Sequence, residues 1–500
     1  MQTIRRIAAR GALLSLAVLN LAQAGEPHRY RVSIDGGMQR MAVEARFSSA
    51  VDTVTARSRD AGEFLIDVRD CDDASPIRLR NRRMMLPAGG IRCMSYTVDL
   101  AAAARRGIHN RSLAAENIVV SPALWLWRPA LRGDAEIHVH FDVPTDLQVS
   151  VSWQRLGSAP NSYRLGRSPE SSEAAAVFGK FDYSEIEVPG ATLRVSVLRT
   201  ADETEHAMDL KSIHEWLEST ATDVSHAYGR FPNPSPQVVV IPADDRRRGA
   251  GAVPFGRVTR DGGEAIELFV NRDRPMQAFL DDWTATHEFS HLMLPYVAPA
   301  HRWVSEGFAQ YYQNVLLARS GTYEPIDAWQ KLYDGLERGR QSRPELSPNE
   351  ATARGMRHGR MKIYWSGAAI ALMADVTLRE RSGGTMTLDG VLSRLRDCCL
   401  PSNRTWSGPE LFETLDMLAG QAVFMPLYKR HADTAGFPDA RPLFERLGFV
   451  VSGNGLKVRR GGELQHIRTA ITEAGSTVPR EQLARQGQTP RKSAGGSGGL

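Results

Sequence analysis

The chain has 500 residues, 42% of them hydrophobic and 24% charged, with a formal net charge of +5 at pH 7. Three of the positive charges, Arg5, Arg6 and Arg10, lie at the very start; taking them from +5 leaves +2, a balance that calls for neither nucleic acid nor an anionic membrane as partner. The length suits two or three domains with substantial cores.

Those arginines open a signal peptide over residues 1–24. A charged start is followed by an apolar run from Gly11 to Leu21 and a small-residue cleavage site at Ala22-Gln23-Ala24. The run is too short to span a bilayer stably, and no later stretch reaches about eighteen apolar residues. A periplasmic or secreted protein is expected, with no stable membrane insertion once the signal is cleaved. The four cysteines, Cys71, Cys93, Cys398 and Cys399, fit an oxidising compartment and allow three pairings. Cys71 with Cys93 closes a hairpin-sized loop and is the preferred bridge, whereas the adjacent Cys398 and Cys399 would make a strained vicinal one. None has histidines at a metal-finger spacing, so a structural zinc site is not expected.

Residues 25–200 read as a β domain. Alternating runs recur at Arg31–Ile34, Met41–Ala45, Glu136–Val143, Gln148–Trp153 and Thr192–Leu198, separated by turns such as Asp35-Gly36-Gly37, and predict an antiparallel sandwich. His138 and His140 share a strand face with no third ligand in view, which makes that face a solvated one. Trp125, Trp127 and Trp153 are assigned to the core rather than to a stacking patch.

Near residue 200 the period changes to 3.6: Ile213, Trp216, Leu217, Thr220, Val224 and Tyr228 predict a long amphipathic helix. The proline-rich Phe231–Pro236 ends it and leads to a buried strand, Gln237–Ile241. Residues 243–263 read as a loop with a solvated Arg246-Arg247-Arg248 run, and Glu264–Val270 as a further strand. After two motif helices, a stop at Ser320-Gly321 suits a left-handed cap. Residues 322–360 read as irregular and charged, and a largely apolar helix opens at Tyr364 and stops at Gly383-Gly384. Ser407-Gly408-Pro409-Glu410 starts another helix with a capping box. The expected layout is a mainly helical domain over 201–450 and an extension over 451–500 that is disordered beyond about 473.

The chemistry lies in Thr284–Tyr312. His287-Glu288-Phe289-Ser290-His291 is an H-E-x-x-H pattern, and fourteen residues separate His291 from Glu306 in Trp303-Val304-Ser305-Glu306-Gly307. On a helix, two histidines four apart are separated by about 400° of rotation, so both imidazoles leave one face a turn apart. With Glu306 they make a three-ligand zinc site that leaves one position open, the arrangement of a catalytic ion. Glu288 follows His287 directly, where it can take a proton from water. Ala285, Phe289, Leu292 and Leu294 make the segment too apolar for a solvated helix.

These motifs, with Tyr364-Trp365-Ser366-Gly367 opening an apolar helix, resemble the gluzincin metallopeptidases. The closest resemblance is to the glycyl aminopeptidase family, with the aminopeptidase N family more distant, and it covers roughly residues 28–450. It implies an α+β multidomain fold, with an antiparallel β-sandwich-like domain before a thermolysin-like, mainly helical domain. It further implies one Zn2+ on His287, His291 and Glu306, Glu288 as general base, and Tyr364 steadying the oxyanion. A phenol beside zinc stabilises charge that exists only in the transition state.

Two departures stand out. The segment between the second histidine and the zinc glutamate is shorter than usual for the family. The family's amine-gripping glutamate motif is also missing, leaving Gly262-Gly263-Glu264-Ala265-Ile266-Glu267, where Glu264 or Glu267 could meet a substrate amine. His358 is a candidate oxyanion donor, and Arg357 or Arg360 a candidate carboxylate clamp, although a solvated loop is the stronger reading for all three. Residues 450–500 are too short for the PDZ domain that the family often carries. The expected activity is peptide hydrolysis, aminopeptidase-like, on a peptide or protein substrate. Alternatives are an endopeptidase processing envelope proteins and an exported peptide- or glycan-binding protein without turnover.

Overall fold

A computed structural model describes residues 26–80, 83–107, 110–113, 116–132, 135–169, 174–199, 208–243, 251–452 and 455–473. The expected signal peptide, the Arg246-Arg247-Arg248 run and the tail expected to be disordered beyond 473 lie outside the described residues.

The N-terminal region is two facing sheets. One has seven strands in the order Gln154–Arg155, Ser162–Leu165, Ile137–Asp142, His28–Ile34, Arg40–Val51, Ile91–Asp99, Leu65–Asp70. The other has four: Gln148–Ser150, Ala176–Gly179, Asn117–Val120 and Asn110–Leu113. Alternation puts every second residue of His28–Ile34 inside, where Val32, Val139 and Phe141 of the large sheet share a core with Ile118, Val120 and Phe178 of the small one. The expected sandwich is present, but it is not wholly antiparallel, because His28–Ile34 runs parallel to Ile137–Asp142. Alternation is blind to strand direction. Trp125, Trp127 and Trp153 are core residues, and the face bearing His138 and His140 is half-buried to exposed. The Cys71–Cys93 bridge is formed, and Cys398 pairs with Cys399.

A third sheet does not divide at residue 200. Its order is Asp182–Val188, Ala191–Val197, Gln237–Pro242, Glu264–Val270, Phe255–Arg260. The hairpin Asp182–Val197, expected to end the β domain, thus belongs with the strands that follow it. Ala191–Val197 pairs in parallel with Gln237–Pro242, a partner that no local pattern reveals. The inner strand Glu264–Val270 is buried at every position because both faces are covered. Helices Leu210–Ser225 and Thr284–Ser290 pack on one face, and Val119, Val177 and Phe181 meet Val239, Ile241 and Phe269 on the other.

The rest is mainly helical, with a hairpin of strands Phe449–Ser452 and Gly455–Val458. Residues 322–360, expected to be irregular, hold helices Pro325–Gln341 and Pro348–Arg354, and the helix expected from Tyr364 begins at Met356 and runs to Ser382. Charge on their outer faces hides the buried stripe Ala328, Trp329, Leu332, Leu336. The expected stop at Gly383, in left-handed conformation, and the Ser407–Glu410 capping box are both formed. Of the expected extension, Leu456, Leu464, Ile467 and Ile471 join the same core. No helix among the described residues is long and apolar enough to cross a membrane.

Candidate active site

Helix Thr284–Ser290 is buried throughout and continues into a tight turn, His291–Met293. Its two imidazoles emerge one turn apart, with ring centroids 4.8 Å from each other. Helix Arg302–Arg319 brings Glu306 across, so that the Nε2 of His287 and the Nε2 of His291 each lie 3.5 Å from the same Oε2 of Glu306. All three ligand atoms fall within 4.8 Å of one another. The opposite ring nitrogens are held as well. Nδ1 of His287 is 3.0 Å from Gln313 Oε1, and Nδ1 of His291 is 3.0 Å from Ser305 Oγ. Such outer contacts fix ring orientation and tautomer, leaving both Nε2 atoms turned inward. Two imidazoles and one carboxylate, with a position left open, are the donor set that suits a catalytic zinc ion.

Tyr364 reaches this set through two glycines. A Cβ on Gly307 would lie 2.2 Å from the Cα of Gly367, so helices Arg302–Arg319 and Met356–Ser382 touch backbone to backbone there. Glu306 precedes one contact glycine and Tyr364 stands three residues before the other. Their side chains are therefore neighbours: the phenol is hydrogen-bonded to Glu306, and its ring centroid is 5.8 Å from that of His287.

The electrostatics follow from burial. Burial pushes the Glu288 carboxyl up to about 7, with Glu306 adding to the rise and His287 opposing it. Burial opposes ionisation of Glu306 too, but hydrogen bonds from His287 and His291 win and hold it well below the usual carboxylate range. Burial, then the charges of Glu306 and Glu288, push the Tyr364 phenol far up, so it remains a proton donor.

Residues 296–368 match the family model of the M61 glycyl aminopeptidases, a segment that takes in Glu306 and Tyr364. Among solved structures the chain is similar to an aminopeptidase N family protein from Idiomarina loihiensis, with a TM-score of 0.61, 15% identity, and coverage of 85% of this chain and 79% of that one. It is also similar to a mutant of a two-domain M1 zinc metallopeptidase bound to L-arginine, with a TM-score of 0.51, 12% identity, and coverage of 83% and 95%. The chain thus shares the fold of aminopeptidase N-like structures, and its segment 296–368 resembles the M61 glycyl aminopeptidases. At such identities the two structures speak for the fold, and no curated protein sequence matches the chain.

The sequence-predicted residues separate into two groups. His287, Glu288, His291, Glu306 and Tyr364 come together. Glu264, Glu267 and His358 do not join them. Glu264 is ion-paired with Arg260 at 2.6 Å and accepts from Asn233 at 2.5 Å. Arg260 in turn donates to the carbonyls of His291 (2.9 Å) and Leu294 (3.1 Å), so Glu264 serves to hold the turn that carries His291. Glu267 is fully buried, 2.7 Å from Arg257, and the strand register turns it to the sheet face opposite the histidine helix. His358 is exposed, and its carbonyl accepts from Arg343.

Sequence reasoning missed four contributors. Gln313 and Ser305 were legible in principle, since Gln313 stands two turns from Glu306 and Ser305 adjoins it. Arg302, one turn before Glu306, lies 3.9 Å from its carboxylate. Gly256 was hidden because strand Phe255–Arg260, the edge of the third sheet, sits in a stretch that reads as loop. A Cβ there would lie 2.5 Å from Glu288 Cγ, so the edge strand backs directly onto that side chain.

Proposed function

We propose that the chain is an exported, aminopeptidase-like enzyme with a thermolysin-like catalytic part that hydrolyses peptide bonds at one zinc ion held by His287, His291 and Glu306. The carrying observation is the convergence of both imidazole Nε2 atoms on one Glu306 oxygen, with Glu288 and Tyr364 beside them. Zinc, when bound, supplies the Lewis acidity that makes water a nucleophile at neutral pH. Glu288, buried and titrating near 7, takes the proton of the attacking water and returns it to the leaving amine. Tyr364, kept protonated, donates to the oxygen on which negative charge develops. Gln313 and Ser305 hold the ligand rings, and Gly256 leaves Glu288 the room it occupies. The apolar run and small-residue site in 1–24 support export to the periplasm or exterior.

A second reading is an endopeptidase. It is favoured by the engagement of both upstream glutamates with arginines, which leaves neither to grip a substrate amine. Free-amine and N-blocked peptides separate the readings when run with metal analysis. Cleavage of free-amine peptides alone supports an aminopeptidase, and cleavage of both kinds an endopeptidase. Cleavage of neither, with zinc bound, leaves an exported peptide- or glycan-binding protein.

A further inference from the structure

We propose that the cavity beside Tyr364 is a subsite for a carboxylate of the peptide substrate, an inference that rests on the peptidase reading of the adjacent site. The cavity holds about 370 Å³ and is lined by Lys331, Arg338 and Arg360 together with Tyr364 and Gln313. It therefore shares two residues with the site: Tyr364 bonds to Glu306, and Gln313 holds His287. A peptide lying over that site has this cavity as the adjoining place for a neighbouring side chain or for its own terminus.

Its charge is one-sided. Three cations line it, and no acidic side chain does, among the described residues. Lys331 and Arg338 stand seven apart on helix Pro325–Gln341, two turns along one face, and Arg360 lies one turn before Tyr364 on helix Met356–Ser382. None of the three is ion-paired among the described residues. The two acids nearest Arg338 on its helix are taken elsewhere: Asp334 accepts from Gln330 at 2.7 Å, and Glu337 pairs with Arg340. Aromatic rings orient the cations without neutralising them. The Arg338 guanidinium lies 5.5 Å from the Trp365 ring centroid, and the Lys331 ammonium 4.7 Å from that of Tyr323. Trp365 in turn fits where Gly335 and Gly339 leave room, since a Cβ on Gly335 would lie 2.0 Å from its ring. Two arginine forks and an ammonium around one cavity, with no carboxylate of the chain among them, complement a ligand carboxylate.

That carboxylate comes either from an acidic side chain next to the scissile bond or from a free C-terminus. Four peptides separate the sources: Glu or Gln beside the scissile bond, each as free acid and as C-terminal amide. Two measurements are made on each. One is kcat/KM with the zinc-loaded protein, and the other is affinity for the zinc-loaded Glu288→Gln protein by titration calorimetry. The expected result is a preference of about tenfold or more for the carboxylate-bearing member of one pair, weakening as salt is raised. The Arg338→Gln/Arg360→Gln double variant should bring that ratio toward one, Arg338→Lys/Arg360→Lys should restore part of it, and Arg338→Glu/Arg360→Glu should invert it in favour of the uncharged member of that pair. Equal rates and affinities across all four peptides, or a preference unaltered in the double variant, would overturn the subsite while leaving the peptidase reading intact. Carboxylate-selective binding that the double variant abolishes, without cleavage of any peptide, would instead keep the subsite and remove the peptidase reading.

Discussion

Replacing Gly256 by alanine tests the placement of Glu288 without touching a zinc ligand. The added methyl carbon would lie 2.5 Å from Glu288 Cγ, 3.0 Å from Cδ and 3.1 Å from Oε1. Carbon atoms settle at about 3.5–4.0 Å, so the Glu288 side chain must retreat by roughly 1 Å. Gly256 is not among the glycines with positive φ, so alanine meets no backbone strain there. The clash is therefore relieved by moving a side chain rather than a strand, and stability should hardly change. Catalysis should change, because a displacement of roughly 1 Å in a reacting group costs about a hundredfold. The assay is kcat on a cleaved peptide, with zinc stoichiometry and thermal midpoint measured on the same protein. We expect kcat to fall about a hundredfold, with zinc content and midpoint close to wild type. Wild-type kcat in Gly256→Ala would refute the reasoning, and so would loss of zinc.

Four further outcomes follow from the same geometry. Glu288→Gln should retain zinc while turnover falls about 10²–10⁴-fold, checked by steady-state kinetics with elemental analysis. Tyr364→Phe should lower kcat about 10²–10³-fold with KM little changed, because the lost donor acts on charge that appears only in the transition state. Chelation should abolish activity and lower the thermal midpoint, and zinc should restore both, since an ion bound only by the folded state stabilises it. Asp261→Ala should cost roughly 3 kcal/mol in a denaturant titration. It removes the buried partner of Arg57 (2.6 Å) and Arg128 (3.6 Å), a contact that ties the N-terminal sheets to the third.

The zinc set was legible because its geometry is local. A spacing of four fixes His287 and His291 on one helix face whatever the rest of the chain does. The sandwich was legible for a similar reason, since alternation reports a half-buried strand directly. What escaped depended on distant partners. Phe255–Arg260 is flanked by glycines and carries two arginines, so it reads as loop until Glu264–Val270 supplies its ladder, Arg257 opposite Glu267 and Arg260 opposite Glu264. The same pairing explains why both glutamates are buried, since Arg260 and Arg257 supply their partners. The helices within 322–360 escaped because their charged faces outweigh a narrow buried stripe. Gly307 and Gly367 were visible as motif letters, but only the helix crossing gives their reason.

That crossing divides the work of positioning in two. Glu306, Tyr364, Gln313 and Ser305 all lie on the helix pair that meets at Gly307 and Gly367, where neither backbone can draw back without opening the contact. The ligand rings are referred to this pair through Gln313 and Ser305. Glu288 leans instead on the sheet edge at Gly256, and the turn after it is held to the same edge strand by Arg260. Glu306 and the oxyanion donor thus take their places from the helix pair, and the base takes its place from the sheet. A change confined to Gly256 would therefore uncouple Glu288 from the ligand set, whereas one at Arg260 would also disturb the turn that carries His291. Metal content and turnover are for this reason separable quantities, and a variant at Gly256 should lose the second while keeping the first.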